Sequence, residues 1–148
     1  MRGYYQIGLH NPKFAVNVGS AMRACGVYKG SSVFFTGRRF KKSKLTITDT
    51  QKFYRHIPLT RVKDLKEVIP FDCVPVAVDL LSEAQNLIDY VHPKKAFYIF
   101  GPEDGTIGHK IISFCKDKIY IPTNGCMNLA ATVNVVLYDR MAKSVRRY

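Results

Sequence analysis

Glu103 lies between Pro102 and Gly105 in Phe97–Gly108, FYIFGPEDGTIG, where an apolar run meets a glycine-rich loop. A carboxylate in a loop whose three glycines let the backbone approach a ligand can accept from hydroxyls or face a positive charge. It would repel a pyrophosphate. Two phosphate-binding loops are excluded by spacing: the glycines run G-x-x-x-G-x-x-G, and His109 and Lys110 follow Gly108 where a P-loop has Lys and then Ser or Thr. Considered alone, the loop also reads as an ordinary strand-to-helix turn. A second polar set stands in NVGSAMRACG. There Val18, Met22 and Cys25 share a helical face, Asn17 can cap the helix start, and Gly26 can stop it after Cys25. Arg23 is a guanidinium in mid-helix of an otherwise apolar segment; on an outer face it would simply be solvated. Cys25, Cys73, Cys115 and Cys126 form no C-x-x-C pair, and His10, His56, His92 and His109 are equally dispersed. No zinc pattern exists, so no metal is expected.

Charge points to the partner. The 148 residues carry a net charge of +12, with a pI near 9.7, which favours a polyanion. No apolar run approaches the roughly 18 residues of a membrane span, and the opening MRGYYQIGLHN has no apolar signal region. Nucleic acid is therefore preferred to a membrane, and free thiols in a reducing cytoplasm are expected. The excess is concentrated. Residues 38–63 hold nine basic side chains against Asp49 alone, a local charge of +8. Arg38, Arg39, Lys41, Lys42, Lys44 and Arg55 are the candidate nucleic-acid contacts, with Phe40, Phe53 and Tyr54 interleaved for unstacked bases. A stretch this long suggests a functional loop or partial disorder, although charge runs are often only solvated faces.

The elements that must position these residues alternate. Strands are expected at Tyr4–Leu9, Ser32–Thr36, Cys73–Leu80, Ala96–Phe100 and Lys118–Ile121, and helices after Asn17, over Val62–Ile69, Ser82–Tyr90 and Lys110–Phe114, and over Leu129–Arg147. Arg140, Lys143, Arg146 and Arg147 suit the negative end of that last helix. The pattern predicts an α/β fold: one mostly parallel sheet of about five strands with helices on both faces, in a single domain over residues 1–148. In such sheets ligands bind beyond the carboxyl ends of the strands, where the Glu103 loop sits.

Three segments in order carry a resemblance: Asn17–Gly26 (NVGSAMRACG), Ile99–Gly108 (IFGPEDGTIG) and Ile121–Asp139 (IPTNGCMNLAATVNVVLYD). Together they resemble the three motifs of the SpoU branch of the SPOUT RNA methyltransferases, over nearly the whole chain. The short length is similar to that of minimal tRNA-modifying members that methylate the wobble-position ribose. The resemblance implies S-adenosylmethionine as methyl donor, a ribose 2′-hydroxyl as acceptor, tRNA ahead of rRNA as substrate, a homodimer, and a C-terminal trefoil knot. General topology rules argue against a knot, so that expectation rests on the resemblance alone. It further implies catalytic roles for Asn17, Arg23, Glu103 and Asn128. The cofactor would lie against Val78, Asp79, Gly101, Ile121, Cys126 and Met127. Cys126 stands where the family's third motif has Ser, and a thiol is the weaker hydrogen-bonding group. Arg23 stays protonated, so its expected role is to grip a phosphate and stabilise a developing alkoxide rather than to act as base. The alternatives are an rRNA 2′-O-methyltransferase and a non-catalytic RNA-binding protein on the same scaffold.

Overall fold

The structure, a computed structural model, describes residues 3–145. Among them, seven strands form one sheet: β1 (Tyr4–Leu9), β2 (Val33–Phe35), β3 (Leu59–Arg61), β4 (Val74–Val78), β5 (Gln85–Asn86), β6 (Lys95–Phe100) and β7 (Asp117–Tyr120). Their order is β3-β2-β1-β6-β4-β7-β5, and every pairing is parallel. Three α-helices accompany them: α1 (Ala15–Val27), α2 (His109–Phe114) and α3 (Leu129–Val145).

The continuous apolar run of β6 has a direct cause. Ala96, Tyr98 and Phe100 enter a core shared with Val18, Ala21 and Met22 of α1 and Val133, Val136 and Leu137 of α3. Phe97 and Ile99 point the other way, into a core with Leu65 and with Ile111 of α2. Both faces of this central strand are covered, so no polar alternation survives. On β4 the same split puts Val76 and Val78 on one side and Ala77 on the other.

The sheet has seven strands rather than about five. β3 and β5 are the additions, three and two residues long, too short to give a period. The helix expected over Ser82–Tyr90 is instead β5 and a 3₁₀ turn at Leu87–Asp89, in which the Asn86 side chain accepts from Ile88 N at 2.9 Å. The helix expected at Val62–Ile69 is a 3₁₀ turn at Leu65–Val68, with Asp64 Oδ1 accepting from Lys66 N at 3.0 Å. Residues 38–63 are folded: two 3₁₀ turns at Lys42–Ile47 and Phe53–Arg55 precede β3. Their one carboxylate, Asp49, is fully buried and accepts from the backbone N–H groups of Phe53 and Tyr54. Phe40, Phe53 and Tyr54 pack against the core rather than waiting on the surface for bases.

Two expectations about α1 also change. Asn17 lies inside the helix, which starts at Ala15 with Phe14 as cap residue. Gly26 does not end the helix, which runs to Val27. A Cβ at Gly26 would lie 2.2 Å from the Phe53 ring, so this glycine admits the ring. Of the C-terminal basic residues, Arg146 and Arg147 lie outside the described residues. Arg140 turns inward and donates to Pro93 O, Lys94 O and Tyr98 Oη. His92 is buried beside it, with Nδ1 2.7 Å from Tyr98 Oη and Nε2 2.7 Å from Asp139 Oδ2. This polar network ties the second half of α3 to the segment leading into β6.

Candidate active site

Four loops leave the carboxyl ends of β1, β4, β6 and β7 on one rim of the sheet. Three of them, with the start of α3, enclose a cavity of about 290 Å³. Val78, Asp79, Gly101, Ile121, Cys126 and Met127, the six residues expected at a cofactor, all line it. Leu80, Phe100 and Leu129 add apolar wall, and Glu103 a carboxylate. The backbone is built for close approach at two points. A Cβ at Gly101 would lie 3.1 Å from Ile107 N, and Gly125 has φ +94°, where a side chain is strained. Asp79 holds the wall together: Oδ1 accepts from Leu80 N at 2.7 Å and Oδ2 from Ile107 N at 3.1 Å. Its carboxylate thus pins the glycine loop to the end of β4.

Glu103 reaches across to α1. Its Oε1 accepts from Lys13 N at 2.9 Å, and its Oε2 from Phe14 N at 3.0 Å and from Asn17 Nδ2 at 2.9 Å. Phe14 caps the helix without a side-chain hydrogen bond, so Glu103 supplies the missing anion at the positive end of the helix. Burial raises the Glu103 carboxyl, but the bonds from Asn17, Lys13 and Phe14 outweigh it and hold the group below its ordinary value. An ionised carboxylate with its lone pairs so engaged orients groups better than it takes a proton. Asn17 passes the contact on, its Oδ1 accepting from Asn128 Nδ2 at 3.1 Å. Asn128 Oδ1 accepts in turn from Ala130 N at 2.8 Å, capping α3. Glu103, Asn17 and Asn128 thus form one chain of hydrogen bonds from the β6 loop through the first turn of α1 to the start of α3.

Arg23 does not join that chain within a protomer. Six residues on from Asn17, it is about 9 Å further along the helix and about 240° around it. It is exposed, and its Nη1 donates to Thr50 Oγ1 at 2.9 Å. It lies in a separate groove with Ser20, Val27, Ile47 and Asn134.

The six candidate RNA contacts are all exposed. Lys41, Lys42, Lys44, Arg38 and Arg55 have no ion-pair partner among the described residues. Arg39 is different: Nη1 and Nη2 each donate to Asp104 at 2.8 Å, and Nη2 donates to Asn11 O at 2.8 Å. The Arg39 hydrogen bonds hold the Asp104 carboxyl at about 2. Sequence reasoning passed over Asp104 as a neighbour of Glu103, and its partner lies 65 residues away. It also passed over Gly125 and Thr123 in the cavity wall, although Asn124-Gly125 is a turn signal readable in the sequence.

The SpoU rRNA Methylase family model matches residues 5–138. The chain belongs to the SpoU rRNA methylase family. SpoU structures share its fold. The SpoU methyltransferase AviRb from Streptomyces viridochromogenes, solved with the cofactor AdoMet, superposes with a TM-score of 0.86 at 17% identity, over 98% of this chain and 59% of AviRb. A protein solved in work on 2-OH methylation of C/U34 on tRNA gives 0.83 at 17% identity, over 99% of this chain and 100% of its own. The TrmH/SpoU tRNA modifying enzyme of A. aeolicus gives 0.83 at 19% identity, over 97% of this chain and 76% of its own. This SpoU chain therefore spans little more than half of AviRb and the whole of the protein from the C/U34 work. Against curated proteins, the sequence has no significant match. None of the described helices is long and apolar enough to cross a membrane.

Proposed function

We propose that the protein transfers a methyl group from S-adenosylmethionine to a ribose 2′-hydroxyl of RNA, in tRNA at the wobble position, as a homodimer. The observation that carries this reading is the Glu103–Asn17–Asn128 chain at the rim of the cavity. It gives the loops of a SpoU chain a polar edge beside a half-open, largely apolar seat. That seat fits the cofactor: Val78, Leu80, Ile121 and Leu129 offer apolar walls for a flat ring, and Glu103 adds a negative charge. When bound, the cofactor supplies a cationic sulfonium methyl. The chain's own residues position it and exclude water, and alignment alone can supply much of such a rate.

Support for tRNA is the full-length superposition on the protein from the C/U34 work. Support for a dimer is Arg23. Its groove carries exposed apolar residues, Val27 and Ile47, and in the dimer Arg23 of a second copy would face the Glu103 edge. There a guanidinium would grip phosphate and stabilise the alkoxide. The C-terminal knot belongs to the same proposal; its support is that β7 lies between β4 and β5, both earlier in the chain.

Two experiments test this. Ribose methylation is mapped in total RNA from cells with and without the protein; loss of one 2′-O-methyl mark in tRNA is expected, and an unchanged map removes the enzyme reading. Arg23→Ala is then mixed with Asn128→Ala and single-turnover methylation measured, with cofactor binding followed in parallel. Partial recovery on mixing is expected for a site built from two copies. No recovery, with both variants still binding cofactor, excludes it.

A further inference from the structure

Three loops meet beside the cavity in a junction that methyl transfer does not itself require. Arg39, in the loop after β2, holds Asp104 with two bonds of 2.8 Å and the Asn11 carbonyl with a third. Lys13 Nζ stands 3.9 Å from the same carboxylate. Asn11 adopts φ +48°, uncommon for a residue with a side chain. Its N–H donates to Thr36 Oγ1 at 2.9 Å. Gly37 has φ +83°, and a Cβ there would lie 2.1 Å from Asn11 Oδ1. Strained backbone and close approach at one junction indicate a contact that the surrounding structure enforces.

The two ends of this contact lie in different neighbourhoods. Arg39 opens the basic stretch that continues with Lys41, Lys42 and Lys44. Asp104 follows Glu103 in the cavity wall and precedes Gly105, which also lines it. An arginine has five donors, and three hydrogen bonds to Asp104 and Asn11 leave the rest of the fork open to a phosphate.

We infer that the Arg39–Asp104 pair is a positioning pair that couples RNA on the basic segment to cofactor in the cavity. The inference rests on the proposed function. RNA that fixes the Arg39 loop fixes Asp104 with it, and so sets the wall holding Glu103. By linkage, cofactor in the cavity raises RNA affinity by the same factor. A lysine at 39 would not serve, because the contact is a planar two-bond fork.

The test measures S-adenosylhomocysteine binding by calorimetry, with and without unfractionated tRNA, in wild type, Asp104→Asn and Arg39→Lys. Asp104→Asn leaves the Arg39 charge available to RNA while cutting the fork. For wild type, tRNA is expected to tighten binding by about fivefold, the lower end of ordinary coupling. In both variants the ratio is expected to fall to about one, with binding in the absence of tRNA within about twofold of wild type. A variant ratio equal to that of wild type overturns the inference, as does a wild-type ratio of one. If Arg39 served only as an RNA charge, Asp104→Asn would tighten RNA binding and leave the ratio alone. Failure of wild type to bind S-adenosylhomocysteine at all would sink the proposed function too, whereas binding without coupling sinks this inference only.

Discussion

Glu103 does two jobs with one side chain. It walls the cavity and it closes the start of α1, where two backbone N–H groups and Asn17 converge on it. Glu103→Gln keeps the shape but sets an amide N–H against groups that are themselves donors. A loss of about 1.5–3 kcal/mol in urea unfolding is expected, the range for hydrogen bonds to a charged group. The pH dependence has a definite sign. The Glu103 carboxyl is held below its ordinary 4.5 when folded, so its contribution is complete above that value and drains away as pH falls toward the folded value. The gap between wild type and Glu103→Gln should therefore hold steady above 4.5 and narrow as the pH falls below it. An undiminished gap would mean that the charge is not what the site uses. Asp104 has the same sign, with its loss extending down to about 2.

At the scale of elements, α1 shows what a local reading can and cannot find. Its existence was legible from Val18, Met22 and Cys25, but its boundaries were not. Asn17 has the chemistry of a cap, yet the capping anion comes from residue 103, which no local window contains. Gly26 looked like a stop and is instead a seat for Phe53. Gly26→Ala would gain up to about 1 kcal/mol in helix propensity and lose about 1–3 kcal/mol to overpacking. A thermal midpoint lower by a few degrees is expected; a higher one would show that the ring can move aside. The runs at β1, β6 and β7 announced themselves because glycine or proline follows them closely. β3 and β5 did not, since edge strands this short have no period. Residues 82–90 carry a helix-like spacing that Asn86 overrides by capping a tight turn. The cavity wall was readable because its residues cluster at strand ends. The Arg39–Asp104 contact was not, because nothing local marks a pair so far apart.

Over the whole molecule, charge is divided unevenly. The basic face of residues 38–63 is exposed, while its aromatic residues serve the core. On the proposed function, this surface would meet RNA through phosphate contacts more than through stacking on Phe40, Phe53 or Tyr54, which are partly buried against the core. Replacing Lys41, Lys42 and Lys44 together by Gln should lower the slope of log binding constant against log salt by roughly 2–3, at about 0.7–0.9 for each phosphate no longer neutralised. An unaltered slope would place the RNA elsewhere on the protein.

The sheet order has one more consequence. Among the described residues, β6 is the only bridge between β1 and β4, and β7 the only bridge between β4 and β5, although both are made late in the chain. Until β6 is made, β1 and β4 have no strand to pair them, and until β7 is made the same holds for β4 and β5. The sheet therefore closes only once β6 and β7 have been made, and the apolar faces of β1 and β4 stay uncovered until then, a need for shielding that the finished fold no longer displays.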